Sequence, residues 1–360
     1  MNSNKQHIEV NELDEKKKSS LKNRLLVAAI LIVVCVPCLF LGGWFYFALI
    51  SAFLMAAIYE IIHTSRKKYP WYIWVFTYLI AIVFAYWVFV KDNVASYLSA
   101  RAAGTLEDWT FTLEMHFDSL YLSVFSIAVA LGGYFLFSLI NKDFTVTDAG
   151  YFFLMTMLVG LGFQALLFCR YYPFAYGETT SNAAMTYRLL WDASVDKNSG
   201  IFRYWHSFVF VGFVIITTIF NDIWAYFVGM LFGKHKMIPR ISPNKTWEGF
   251  FGGWILGGLT GLGFIMITDA CGFPMLPTMK IFGENTQWWW AALFSLTIPL
   301  VGDVGDLAFS FIKRSFNIKD YSKLLGAHGG ALDRADSLIF TCIFAAIFSV
   351  SVTVGWNFFI

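Results

Sequence analysis

In the last third of the chain, Gly302, Asp303, Gly305 and Asp306 are followed by Ser310, Lys313 and Arg314. Lys319 and Asp320 come next, then His328, Gly329 and Gly330, and finally Asp333, Arg334 and Asp336. Asp306, Ser310, Lys313 and Arg314 recur at helical spacing and form one polar stripe. Asp333 and Asp336 are an i, i+3 pair at the start of the next helix. Carboxylates gathered this closely call for a divalent cation, and the cations beside them call for an anion with several charges. An oxygen-only ligand set suits Mg²⁺, which binds through one or two carboxylates plus substrate phosphates. His328 with its two glycines can present backbone N–H groups to a phosphate. A salt-bridged structural cluster is the competing reading, and it is the weaker one because one short loop holds so many ions.

Two upstream stretches add to the set. Asn221-Asp222 is followed by Tyr226, Gly229 and Gly233, with positions 222, 226, 229 and 233 on one helical face. A carboxylate inside an apolar helix must face protein, water or a metal, so a structural Asp bonded to a neighbouring helix is the alternative here. The second stretch is Ser242-Pro243-Asn244-Lys245-Thr246-Trp247-Glu248-Gly249. Thr246 or Ser242 can cap the helix that follows, and Glu248 suits its first turn. A helix N-terminus beside a lysine is also a phosphate site. Gly249, Gly253, Gly257 and Gly261 then form a ladder on one face, which is read as helix packing. Metal to bridge phosphate oxygens and cations to neutralise a leaving group are the needs of phosphoryl or nucleotidyl transfer, where the protein supplies mainly position.

The elements that carry these residues are membrane helices. Of the 360 residues, 58% are hydrophobic and only 14% charged, against about 25% charged in a soluble domain; so little charge cannot cover a soluble surface. The apolar residues fall in runs of about 20, the length that crosses a bilayer as a helix. The expected class is an all-α, polytopic membrane protein with about nine spans, near 25–42, 44–63, 71–90, 119–140, 149–169, 205–231, 249–268, 287–312 and 337–359. With the spans alternating, 19 of the 26 Lys and Arg fall on the side of the N-terminus and 7 on the other. The positive-inside rule makes that first side cytoplasmic. The loops 91–118 and 170–204 are then extracytoplasmic. The chain divides into a polar segment 1–24, an N-terminal helical region 25–204 and a C-terminal catalytic region 205–360. Cys35 and Cys38 form a CxxC inside an apolar run with no second pair, which suggests packing rather than zinc. No disulfide framework is implied. No small-residue cleavage site ends the first apolar run, so it is read as a retained helix.

The stretch from Ser310 to Asp336, through Lys313, Arg314, Lys319, Asp320, Ser322, Leu325, Gly326, His328, Gly329, Gly330, Asp333 and Arg334, resembles the signature of phosphatidate cytidylyltransferases, the CDP-diacylglycerol synthases. It departs at Ala331 and Ala335, where that family usually has a larger apolar residue. Asn221-Asp222 and Ser242 to Gly249 stand in the expected order upstream. The likeness covers 221–336, about a third of the chain.

The resemblance implies that CTP and phosphatidate become CDP-diacylglycerol and pyrophosphate in phospholipid biosynthesis, at the cytoplasmic face, in a bacterial inner membrane. It also implies metal held by aspartates: Asp306 and Asp333 first, with Asp336 and Asp222 behind them, holding Mg²⁺ and leaving open a second, monovalent ion. Lys313, Arg314, Lys319 and Arg334 are then expected on phosphate, with His328 as base or anchor. Asn221, Asp222, Ser242, Lys245, Ser310, Gly329 and Gly330 are expected to contact substrate. The lipid should enter by a side opening among the last four helices. The partners are CTP, phosphatidate and membrane lipid, with no nucleic acid. The glycine-rich helices suit a homodimer or packing within one chain. An ion-coupled transporter and a CTP-dependent lipid kinase are the alternatives. The first is disfavoured because the ions gather at one membrane face and no repeat is visible.

Overall fold

Lipid offers backbone N–H and C=O groups no partner, so apolar runs of this length close their hydrogen bonds internally as helices. The computed structural model describes residues 15–105, 111, 124–171, 205–271, 275, 281–282, 288–324, 326 and 329–354. Its helices are α1 (Glu15–Leu41), α2 (Gly43–Thr64), α3 (Trp71–Ala103), α4 (Val124–Ile140), α5 (Val146–Tyr171), α6 (Trp205–Phe232), α7 (Trp247–Ala270), α8 (Trp288–Ser315) and α9 (Leu332–Val354). Among the described residues each of the nine expected segments holds a helix. Seven have spanning length by themselves, while α1 and α4 carry shorter apolar stretches, Ala29–Leu41 and Phe125–Ile140.

The structure departs from the sequence reading at several boundaries, and α1 already begins at Glu15, within the polar segment expected over 1–24. Helix α3 continues to Ala103, into what was expected to be loop 91–118, because 91–103 contains no Gly or Pro to stop it. It ends at Gly104, whose φ of 74° allows its N–H to return to the carbonyls of Ala100 and Arg101. Helix α9 begins five residues early, so Asp333, Arg334 and Asp336 lie in its first turns. The linker before α7 contains a hairpin, β1 (Lys236–Ile238) antiparallel to β2 (Ser242–Thr246), with a bulge between Lys236 and Ile238. Strands this short show no alternation that sequence could reveal, and Pro243 is tolerated because each strand of a two-stranded sheet is an edge. Residues 172–204 of the second expected loop lie outside the described residues.

The break between α1 and α2 is a single residue, Gly42, with φ of 64°. The last carbonyls of α1 meet a buried cation there. Arg170, at the end of α5, donates through Nε to the Leu39 carbonyl at 2.9 Å and through Nη2 to the Phe40 carbonyl at 3.1 Å. Tyr171 adds a hydroxyl bond to the Gly43 carbonyl, 2.5 Å. A Cβ on Gly42 would overlap the Arg170 guanidinium. The positive end of this side chain also complements the α1 dipole. Replacing Arg170 with Ala is expected to cost about 3–6 kcal/mol, since hydrogen bonds from charged donors contribute roughly 1.5–3 kcal/mol each. Thermal inactivation in detergent would fall by several degrees, and an unshifted midpoint would refute the role.

Helix α5 is central and buried along most of its length. Its start is a reciprocal cap: the Asp148 carboxylate accepts from Thr145 N at 2.8 Å while Thr145 Oγ1 accepts from Asp148 N. One apolar core runs without interruption through α2, α3, α5, α6, α8 and α9. Helix α7 lies on α6 through its glycine ladder. A Cβ on Gly249 would stand 2.7 Å from the Ala225 carbonyl, and one on Gly257 2.9 Å from Asn221 Cα. The ladder is therefore packing, as its spacing suggests, and it sets Asn221 and Ala225 of α6 directly against α7.

Candidate active site

Asp303 and Asp306 lie one turn apart on α8, so both carboxylates leave the same helix face. Lys245, on β2, reaches both: its Nζ is 2.8 Å from Asp303 Oδ1 and 2.8 Å from Asp306 Oδ2. Asn221 on α6 donates to Asp303 Oδ2 at 3.3 Å, and its own Oδ1 is buried without a hydrogen-bond partner among the described residues. Ser310 donates to Asp306 Oδ1 at 3.3 Å. Asp222 interacts electrostatically with Lys245, Asp306, Asp303 and Arg334. Burial alone would lower the Lys245 pKa, but Asp303 and Asp306 outweigh it and hold the ammonium above the ordinary lysine value. Lys245 therefore stays charged across the physiological range.

The hairpin is what delivers Lys245. Thr246 ends it and caps α7, accepting from Gly249 N at 3.2 Å. Glu248, in the first turn of α7, accepts from the backbone N–H of His235 and lies 2.6 Å from its Nδ1. Arg314 anchors the other side, donating to the carbonyls of Ile241 and Ile318 at 3.2 and 3.1 Å. Ser242 is the first residue of β2, paired with Ile238. Beside Lys245 opens a cavity of about 400 Å³, bordered by Asp222, Tyr226, Asn244, Phe250 and Asp303. That volume is within the range of small-molecule sites.

A second cluster adjoins the first. Lys313 Nζ is 2.8 Å from Asp333 Oδ1 and 3.9 Å from Asp336 Oδ2. The other oxygen of Asp333 accepts from the N–H groups of Tyr321 and Gly330, each at 2.9 Å. Asp333 thus closes the loop 316–331 onto the start of α9. Burial, and then the nearby Tyr151 and Asp333, push the Tyr321 hydroxyl pKa up, so it stays protonated. Asp336 interacts with Asp306, Lys313 and Asp222, which joins the two clusters. Lys319 is exposed on the same loop. His328 lies outside the described residues.

Of the two glycines expected in a phosphate cradle after His328, Gly330 has its N–H engaged within the protein, by Asp333. The next two N–H groups, of Ala331 and Leu332, both donate at 2.8 Å to Glu60 of α2, which also accepts from the Ser322 hydroxyl at 2.6 Å. Glu60 is fully buried, and a Cβ on Gly330 would run into its carboxylate. Sequence reasoning passed over Glu60 and gave Asp303 no role. Glu60 did leave a signal: it is the one acidic residue in the apolar segment 44–63, and such a residue needs a partner.

The donor set suits a divalent cation. Asp222, Asp303, Asp306, Asp333 and Asp336 face Lys245, Lys313 and Arg334, so carboxylates are in excess and all first-choice ligand atoms are oxygen. Among the described residues, no three carboxylate, imidazole or thiol groups already form a cage. Mg²⁺ commonly takes one or two carboxylates and completes its shell with water and phosphate, so the residues present fit that ion with a phosphorylated ligand.

The model of the cytidylyltransferase family matches residues 22–352. The chain is 38% identical over 132 residues to a phosphatidate cytidylyltransferase of Mycobacterium leprae, covering 37% of this chain and 38% of that protein. With the one of Brucella abortus biovar 1 it is 36% identical over 150 residues, 38% of this chain and 49% of that one. These two matches span less than half of the relatives' length. With the one of Staphylococcus haemolyticus it is 25% identical over 320 residues, 89% of this chain and 95% of that protein.

Proposed function

The chain belongs to the cytidylyltransferase family, and on that premise we propose that it is a phosphatidate cytidylyltransferase. It joins the cytidylyl group of CTP to phosphatidate, giving CDP-diacylglycerol and pyrophosphate. The observation that carries the reading is Lys245 held between Asp303 and Asp306 beside a cavity of about 400 Å³. An oxygen of the phosphatidate phosphate attacks the α-phosphorus of CTP. The new P–O bond forms as the bond to the β-phosphate breaks, and pyrophosphate leaves with the electron pair. The attacking phosphate is already ionised, so no strong base is required, and catalysis comes from position and charge.

In this reading the cavity takes CTP. Lys245 binds its phosphates, and Arg334, Lys313 and Lys319 supply positive charge for the lipid phosphate and the leaving pyrophosphate. Asp303 and Asp306 would hold Mg²⁺, with Asp222 and Asp336 behind them, and the bound ion would supply positive charge beside the phosphates. Asp333, with both oxygens engaged by Lys313, Tyr321 and Gly330, is assigned to holding the loop. The excess of Lys and Arg on the side of these residues supports a cytoplasmic site, in a bacterial inner membrane.

Label transfer tests the proposal. Protein in detergent–lipid micelles receives phosphatidate, Mg²⁺ and CTP labelled at the α- or the γ-phosphate. The α-label is expected in the lipid product, and chelation with EDTA should abolish its transfer. Transfer of the γ-label instead would identify a lipid kinase and overturn the reading.

A further inference from the structure

A second cavity, of about 320 Å³, lies between α1, α2, α5, α6 and α9. Its wall is almost wholly hydrocarbon, and Tyr46, which borders it, spends its hydroxyl on the Leu166 carbonyl. The exception is Arg334, which lines one end. From there the cavity follows α9 past Leu338 and runs beside Leu31 to Leu39 of α1, a rise of about 12 Å at 1.5 Å per residue. At the far end α1 and α6 meet through the rings of Phe40 and Phe208, 5.9 Å apart and edge to face. Ile32 and Val36 on one lip and Ile219 on the other are about half or more exposed, so the cleft opens sideways between these helices.

Its position relative to the reacting groups gives the cleft its meaning. Arg334 lines it and interacts electrostatically with Asp222, which borders the polar cavity beside Lys245. Arg334 thus borders the hydrocarbon slot and acts by its charge on the polar site. A molecule with an apolar tail and an anionic head fits both at once. An uncharged lipid gains nothing from Arg334, and a soluble anion gains nothing from the slot.

We propose that this cleft holds an acyl chain of the phosphatidate, admitted between α1 and α6, with Arg334 drawing the phosphate to the reacting end. The proposal rests on the cytidylyltransferase reading for the identity of the lipid. It moves the lipid entrance away from the last four helices alone and gives the N-terminal helices α1, α2 and α5 a part in substrate binding. Chain recognition then depends on residues outside the signature stretch.

The first test uses the unaltered protein and phosphatidate bearing a diazirine in one acyl chain. Crosslinks are expected on peptides containing residues 31–39 and 335–339, reduced by unlabelled phosphatidate and much less by phosphatidylcholine. Labelling spread evenly over exposed apolar surfaces such as Leu139 of α4, or insensitive to competition, overturns the proposal. The second test is Leu338→Trp, which fills the slot. The ratio of kcat/KM for dioleoyl over dihexanoyl phosphatidate is expected to fall at least tenfold. An unchanged ratio in a folded, active variant argues against the slot. Failure of the unaltered protein to transfer label to either lipid would remove the enzyme reading, while the crosslinks still decide whether the cleft holds phosphatidate.

Discussion

Asp306→Asn is expected to reduce cytidylyl transfer by about a thousandfold or more, equivalent to roughly 4 kcal/mol of transition-state stabilisation. The exchange preserves size and helix but removes a charge from a site whose work is electrostatic. Lys245 keeps its 2.8 Å contact with Asp303, so the hairpin should stay docked and the thermal midpoint in detergent should change little. Residual activity should demand much more Mg²⁺. Asp303→Asn is expected to behave alike, with an added loss of stability because Asp303 is buried and also bonds Asn221. Asp333→Asn should differ in kind. It loosens the loop that Lys313, Tyr321 and Gly330 hold, lowering stability along with rate and leaving the Mg²⁺ requirement closer to normal. Near-normal turnover by Asp306→Asn would remove Asp306 from the metal role. An Mg²⁺ requirement raised only in Asp333→Asn would reverse the assignment.

The second large effect is expected at Glu60, which lies far from the signature in sequence. Glu60→Ala deprives the N–H groups of Ala331 and Leu332 and the hydroxyl of Ser322 of their acceptor. A buried donor left unsatisfied costs about 1–3 kcal/mol, so the two buried N–H groups, with the half-buried hydroxyl added, are enough to release the loop from the start of α9. Asp333, Arg334 and Asp336 follow directly on that loop, and the rate is expected to fall about a hundredfold. Hydrogen exchange at Ala331 and Leu332 should rise in parallel. Glu60→Gln keeps one oxygen acceptor but turns an NH₂ toward a donor, and should fall between. Gly330→Ala, which runs into the same carboxylate, should lose less when Glu60 is already Ala, since both changes disturb one contact. Wild-type rates in Glu60→Ala would refute the positioning role.

The reading of α8 and α9 from their residues came close because helical spacing is local. Positions 306, 310, 313 and 314 must lie along one side once a helix forms, whatever packs against it. The Thr246 cap and the glycine ladder were legible for the same reason. The hairpin was not: its strands are three and five residues long, held by one another and by Glu248 and Arg314, and neither strand has a pattern of its own. The roles of the carboxylates were also hidden. Asp303 and Asp333 look alike in sequence, and only their neighbours separate them. Asp303 takes Asn221 and a lysine it shares with Asp306, while Asp333 takes Lys313 and two backbone N–H groups that tie down the loop.

By itself the sequence determined the membrane class, the helical segments, the face on which charge collects and the chemistry those residue types allow, because all of these follow from composition and from spacing within single helices. Tertiary structure alone decided that α2 sends Glu60 to the start of α9 and that β2 places Lys245 on α8. It also decided that α1, α2 and α5 complete a hydrocarbon slot ending at Arg334. Each of these joins residues from different helices, and contacts of that kind arise from packing between apolar faces that look interchangeable along the chain.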